Sequence, residues 1–168
     1  RFRTMWGNRS QAHFVNLLMS KDAENPYEVE FRHNAFGDVY ENGKVIAGVM
    51  DDEKKNVLNS YELMKNGVNK GGFSIDNTTI GIVATNAKLD KAGCKKVSQM
   101  AHNGYAKAIF PIHTPHDGDT IFTMATGEVE TDITLLGSLA TEVVEKSIIN
   151  AIKNAESIGE IRSYKDIA

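Results

Sequence analysis

Thr78 follows Asn77 and precedes an apolar run, Ile80-Gly81-Ile82-Val83-Ala84, too short for anything but a buried strand. A hydroxyl at the start of such a strand is held by a rigid element and faces the mouth of a sheet. A threonine hydroxyl attacks a carbonyl only with a base beside it. One such base is the residue's own α-amino group, whose pKa of ~7.7–8.0 suits neutral solution. That base exists only if the Asn77–Thr78 bond is cut. The Thr78 hydroxyl can cut it by attacking the Asn77 carbonyl, giving an ester that water then opens. Threonine is also a common strand residue. Taken alone, this stretch reads more economically as a strand start.

Asp117-Gly118-Asp119 is the second constellation. Two carboxylates one residue apart point the same way on extended chain, and glycine lets the backbone turn sharply. Held close together they resist ionising at once, so one can keep or shuttle a proton and orient a threonine hydroxyl or an ammonium. Asp and Gly are equally the usual residues of a polar turn, and a tight turn at 117–119 is the local expectation. His113 and His116 beside Asp117 allow a metal-dependent reading, although Pro111 and Pro115 break the regular spacing of a helical zinc motif. Asn34 can donate its amide to an oxyanion or form an Asx turn. Lys95-Lys96 reads as a solvated helix face.

These residues need elements to hold them. A short helix fits residues 11–19, with Ser10 as its cap. A half-buried strand fits 28–33 by its alternation around Val29 and Phe31. Asn42-Gly43 between two short apolar runs predicts a hairpin, with 44–48 as the return strand. A surface helix is expected over 51–66, then a Gly-rich approach to the strand that follows Thr78. Asp90 can cap a helix running to about Ala108, with Cys94, Val97, Ala101, Tyr105 and Ala108 on its apolar face. The prolines keep 109–115 extended, and a strand follows over 120–126. Leu136, Ala140, Val144, Ile148 and Ile152 step by four along a helix over 135–155. The polar tail after Gly159 is expected to fray. The order of elements predicts an α/β (α+β) chain with helices over a sheet, forming one structural domain.

Composition narrows the function classes. The chain has 168 residues, 41% hydrophobic and 24% charged, with net charge −3. No basic stretch has the density of a nucleic-acid surface, so that partner is not expected. No run approaches the roughly 18 apolar residues of a membrane span, so no membrane partner is expected either. The one cysteine, Cys94, has no partner within the chain, which points to a reducing, cytoplasmic setting. The chain begins at Arg1 rather than Met, so a fragment of a longer protein is expected.

Several separated blocks carry a family resemblance: N-T-T-I-G-I-V-A-T-N-A-K-L (77–89), K-V-S-Q-M-A-H-N-G-Y-A-K-A-I (96–109) and H-T-P-H-D-G-D-T-I-F (113–122), with N-A-F-G-D-V (34–39) and G-K-V-I-A-G (43–48) before them. In this order they resemble the DmpA-type aminopeptidases, which include nylon-oligomer hydrolases and β-peptidyl aminopeptidases. The resemblance covers residues 33–155. It implies a self-cleaving N-terminal-nucleophile hydrolase with the αββα sandwich of the DmpA/ornithine acetyltransferase fold. Cleavage between Asn77 and Thr78 would make Thr78 the nucleophile of the smaller chain. Asp117 and Asp119 match the acidic pair of the nylon-hydrolase branch, where other branches carry Ser at the first position. Asn34 matches the family's active-site Asn, which holds the substrate carbonyl or oxyanion.

The implied division is 1–32 as a divergent N-terminal segment, 33–77 as the end of an α-chain region and 78–168 as a β-chain region. Residues 1–32 lack the Gly-rich block with an active-site Lys that family members carry upstream, so the sandwich is expected to be incomplete at that end. The implied function is hydrolysis of amide or peptide bonds in a small peptide or amide substrate, with no cofactor and no metal, by a homo-oligomer of cleaved heterodimers. The alternatives are an inactive fragment or subunit of such an enzyme, a metal-dependent hydrolase using His113, His116 and Asp117, and an acyltransferase on the same fold.

Overall fold

A short apolar strand and two long helices with apolar stripes can bury themselves only against one another, and this grouping forms the centre of the molecule. The computed structural model describes residues 3–8, 11–13, 37–51, 56–67, 78–157 and 162–167. Its elements in chain order are β1 (Arg3–Asn8), β2 (Gln11–His13), β3 (Asp38–Glu41), β4 (Lys44–Ala47), α1 (Ser60–Lys65), β5 (Ile80–Ala87), α2 (Lys91–Ala108), β6 (Ile109–Phe110), β7 (Thr120–Val129) and α3 (Ile133–Asn154).

Both long helices begin at an aspartate. Asp90 accepts the Gly93 N–H at 2.7 Å, and Asp132 accepts the Leu135 N–H at 2.8 Å. Each bond satisfies an amide that the first helical turn leaves without a partner. The apolar stripes lie where their spacing put them, except that Cys94 is only half-buried. Val97, Ala101, Tyr105 and Ala108 of α2 are buried, as are Leu136, Ala140, Val144, Ile148 and Ile152 of α3. The two helices pack closely at Gly104, where a Cβ would stand 2.5 Å from the Thr141 carbonyl oxygen. Thr141 Oγ1 also donates to the Met100 carbonyl across this contact, at 2.7 Å.

The strands form two sheets, one ordered β2-β1-β5-β7 and the other β4-β3-β6. Strands β5 and β7 run parallel, with Ile80 opposite Thr120 and Ile82 opposite Phe122. A parallel pair needs a long crossover, and α2 supplies it. Alternate residues of β5, from Gly81 through Val83 and Thr85 to Ala87, are buried. On the opposite face of this sheet Phe122 is 57% exposed and Met124 55%. Strands β3 and β4 form the expected hairpin, and Asn42 and Gly43 both take positive φ, 50° and 77°. That pattern matches the right-handed twist of paired strands, which is why Asn-Gly favours it. One hydrophobic core joins the parts: Val39 from the hairpin packs with Val83, Ile121 and the stripes of both helices. The chain is a mixed helix-and-strand fold of the α/β kind.

Three local expectations are corrected. Residues 11–13 form strand β2 instead of helix, because they pair antiparallel with β1 from Trp6↔His13 to Asn8↔Gln11. Among the described residues of the helix expected over 51–66, only Ser60–Lys65 is helical. Val57 instead bridges to Met50, and Asn59 caps the helix by accepting the Glu62 N–H at 3.0 Å. The tail docks instead of fraying: Ser163 is buried, its N–H donates to Ser157 Oγ at 2.7 Å, and Tyr164 lies against the core. The strand expected over 28–33, the Gly-rich approach over 68–76 and residues 14–19 lie outside the described residues.

Candidate active site around Thr78

Parallel pairing of β5 with β7 brings the starts of both strands to the same edge of the sheet. Thr78 and Thr79 stand just ahead of β5, and the acidic segment 117–119 stands just ahead of β7. The Thr120 N–H donates to the Thr79 carbonyl at 2.9 Å, extending the pairing back towards Thr78. Residues about forty positions apart in sequence thus face one another because the crossover helix returns the chain to the neighbouring strand.

Thr78 is half-buried, and its hydroxyl points at Gly118. A Cβ at position 118 would stand 2.8 Å from Thr78 Oγ1, inside the closest approach of such atoms. Gly118 does not take a positive φ. The glycine between the two aspartates is therefore needed for space and not for a sharp backbone turn. The hydrogen-bonded turn lies earlier, from the Asp117 N–H to the Thr114 carbonyl at 3.0 Å. This corrects the expectation of a tight turn at 117–119.

The two carboxylates have separate partners. Asp119 Oδ1 accepts the Thr79 N–H at 2.9 Å, directly after the candidate nucleophile. Asp119 Oδ2 lies 2.9 Å from His113 Nδ1 and 3.3 Å from the His113 backbone N–H. The Asp119 side chain is only 3% exposed. A carboxylate so enclosed requires donors on both oxygens, and it has them. Asp117 Oδ2 instead accepts the Thr114 N–H and the Thr114 hydroxyl, both at 2.7 Å. It braces the loop that carries His113 and the acidic segment.

Three side chains complete this edge that spacing alone did not single out for it. His113 has a φ of 57°, a conformation uncommon outside glycine, and this turns its ring towards Asp119. His102 of α2 places Nδ1 3.3 Å from His113 Nε2. Burial, and then the neighbouring His113, lower the His102 pKa, with Asp119 opposing them. Tyr105, one helical turn on, is fully buried with its hydroxyl unpartnered, and a Cβ on Gly81 would stand 2.5 Å from that oxygen. Burial, and then the charge of Asp119, push the Tyr105 phenol well above its usual range. In the sequence, Tyr105 announced itself only as part of an apolar stripe. His102 carried no signal, because nothing in its spacing ties it to His113 on another element.

Asn34 and Asn77 lie outside the described residues, so the geometry concerns Thr78, Asp117 and Asp119. Among the described residues no group of three His, Cys, Asp or Glu side chains is placed to hold a metal ion. His113, His116 and Asp117 are not gathered as a ligand set: His113 turns to Asp119 and His102, and Asp117 to Thr114. Among the described residues, no helix is long and apolar enough to cross a membrane.

Comparison with known proteins supplies the frame for this edge. The model of peptidase family S58 matches residues 25–165. An uncharacterized aminopeptidase of Mycobacterium leprae is 38% identical over 110 residues, covering 56% of this chain and 30% of that protein. One of Mycobacterium tuberculosis is 36% identical over 106 residues, covering 54% of this chain and 31% of that protein. A 6-aminohexanoate-oligomer endohydrolase of Paenarthrobacter ureafaciens is 29% identical over 90 residues, covering 46% of this chain and 25% of that protein. The chain thus spans about a third or less of the length of these curated relatives. The family's pattern runs through both long helices, both parallel strands and the edge where Thr78 meets Gly118, and the chain belongs to peptidase family S58, the family of the DmpA-type aminopeptidases.

Proposed function

We propose that this chain is the nucleophile-bearing part of an amide-bond hydrolase that activates itself by cutting the Asn77–Thr78 bond. The observation that carries the reading is the meeting of the Thr78 hydroxyl with Gly118, beside the buried Asp119 that holds the Thr79 N–H. Thr78 Oγ attacks the Asn77 carbonyl carbon, and the peptide bond gives way to an ester as the Thr78 nitrogen becomes an amine. Water hydrolyses the ester, leaving a carboxylate on Asn77 and a free hydroxyl on Thr78. The new α-amine then takes the hydroxyl proton when Thr78 attacks a substrate amide. The proton passes to the leaving amine, and water releases the acyl group from Thr78. Asp119 fixes the backbone next to the nucleophile and supports the α-ammonium electrostatically. Asp117 braces the loop, and Asn34 stabilises the oxyanion.

The substrate class is a small peptide or amide, as the names of the aminopeptidase and oligomer-hydrolase relatives suggest. The αββα sandwich, the assembly of cleaved heterodimers and a cytoplasmic setting belong to the same reading. Mass spectrometry of the purified chain during incubation tests it. Two fragments, the smaller beginning at Thr78, are the expected result. A chain that stays intact, and stays intact with upstream polypeptide of a longer relative added, overturns it.

A further inference from the structure

The Asp119 carboxylate is the side chain that accepts the backbone N–H next to the candidate nucleophile, and its second oxygen faces His113. We propose that His113 is a positioning residue, clamped in its Nδ1–H form between Asp119 and His102, that fixes the carboxylate holding the backbone beside Thr78. Its link to catalysis rests on the self-cleaving reading above; the clamp itself is independent of it.

The donors run in one direction. Asp119 Oδ2, 2.9 Å from His113 Nδ1, is a carboxylate oxygen and accepts, so Nδ1 carries the proton. In the proposed Nδ1–H tautomer, Nε2 keeps its lone pair, 3.3 Å from His102 Nδ1, which is then the donor. His102 plays that part as a neutral ring, and burial favours its neutral form. The Thr79 N–H approaches the other Asp119 oxygen. The carboxylate is therefore held from both sides, and rotation about its last bond would break contacts on each. The groups facing His113 from the surrounding elements are Asp119, His102 and Tyr105, whose ring centroid lies 6.0 Å from that of His113. A buried carboxylate on a rigid strand edge, fixed by an oriented imidazole, is the kind of supporting contact that holds reacting groups in place.

Two measurements on the full chain decide the proposal. The first is long-range proton–nitrogen NMR of the histidine rings at neutral pH, with His113 assigned from its loss in His113→Asn. The expected result is a proton on Nδ1 in the wild type, shifting to the usual Nε2–H form in Asp119→Ala. A wild-type His113 protonated on Nε2 alone overturns the clamp, whether or not Asp119→Ala folds. The second is rescue of self-cleavage. Gly and Asn both tolerate the backbone at φ 57°, but only Asn carries an amide N–H that can replace Nδ1–H. His113→Gly should slow cleavage about tenfold or more, and His113→Asn should restore it to within about threefold of wild type. Equal slowing in both variants overturns the positioning role. If the wild type does not cleave, alone or with the upstream polypeptide added, but shows the Nδ1–H form, the proposed function fails while the clamp stands.

Discussion

Asp117 and Asp119 are separated by a single glycine, yet they serve different parts of the molecule. Asp117 turns back into its own loop and accepts from the Thr114 N–H and hydroxyl, three residues away. Asp119 reaches across the sheet edge to the Thr79 N–H, forty residues away in sequence, and to His113. A local bond of the first kind forms wherever the loop forms. The second kind exists only once β5 and β7 have paired. The same dipeptide spacing thus yields one loop brace and one tertiary clamp, and strand pairing decides which is which. Asp38 offers a third case: fully buried, it accepts the Ser60 N–H at 2.6 Å and the Ser60 hydroxyl at 2.5 Å, anchoring α1 to the hairpin.

The comparison can be broken most directly by Asp119→Ala. It leaves the Thr79 N–H without its acceptor in a residue only 2% exposed, and an orphaned buried donor costs about 1–3 kcal/mol. Denaturant unfolding should show that loss, and mass spectrometry should show self-cleavage abolished. Gly118→Ala comes next. Its Cβ would crowd Thr78 Oγ1, a movable side-chain atom, so cleavage should slow by about a hundredfold while stability falls less than in Asp119→Ala. Asp117→Asn should do less to both. The amide oxygen still accepts from Thr114, and the expected cost is below about 1 kcal/mol. If Asp117→Asn matches Asp119→Ala in both measurements, the distinction between brace and clamp is wrong.

Tyr105 provides the finest probe, because the charge of Asp119 acts on it from within the same edge. Its folded pKa is raised, first by burial and then by Asp119, so the folded state favours the neutral phenol. The stability linked to this is present below the unfolded value of about 10 and is lost as pH rises through the folded pKa. Tyr105→Phe should flatten that alkaline loss. At neutral pH it should leave stability equal or slightly higher, since it removes a buried hydroxyl with no partner. Thermal melts of both proteins from pH 7 to 11 check the sign. Asp119→Asn should weaken the alkaline loss only in part, because burial is the larger cause.

Much of the framework could be read in advance because its signals are local. The aspartate caps at Asp90 and Asp132 act within three residues, of which only Asp90 was singled out. The stripe from Leu136 to Ile152 reflects one helical repeat, and Asn42-Gly43 specifies its own turn. The structure departs from the expected pattern where pairing or capping partners, near or distant, outweighed helical spacing. Gln11–His13 became strand through pairing with β1, and the start of α1 was set by Asn59 and by Asp38. Gly118 was noticed for the wrong reason: its sequence context suggested a turn, but the space it leaves is for Thr78, a residue that only the parallel pairing brings near.

The sequence by itself determined the hairpin, the strand after Thr78, the two long helices and the family, and it singled out Thr78, Asp117 and Asp119 as candidates, because periodicity, capping and ordered motif blocks are properties of neighbouring residues. Only the tertiary structure decided that Asp119, and not Asp117, holds the backbone beside Thr78, and that His113 and His102 stand behind it. The physical reason is that a buried carboxylate takes the donors that folding brings to it, and those donors come from β5, the 113–117 loop and α2 only after the sheet has closed.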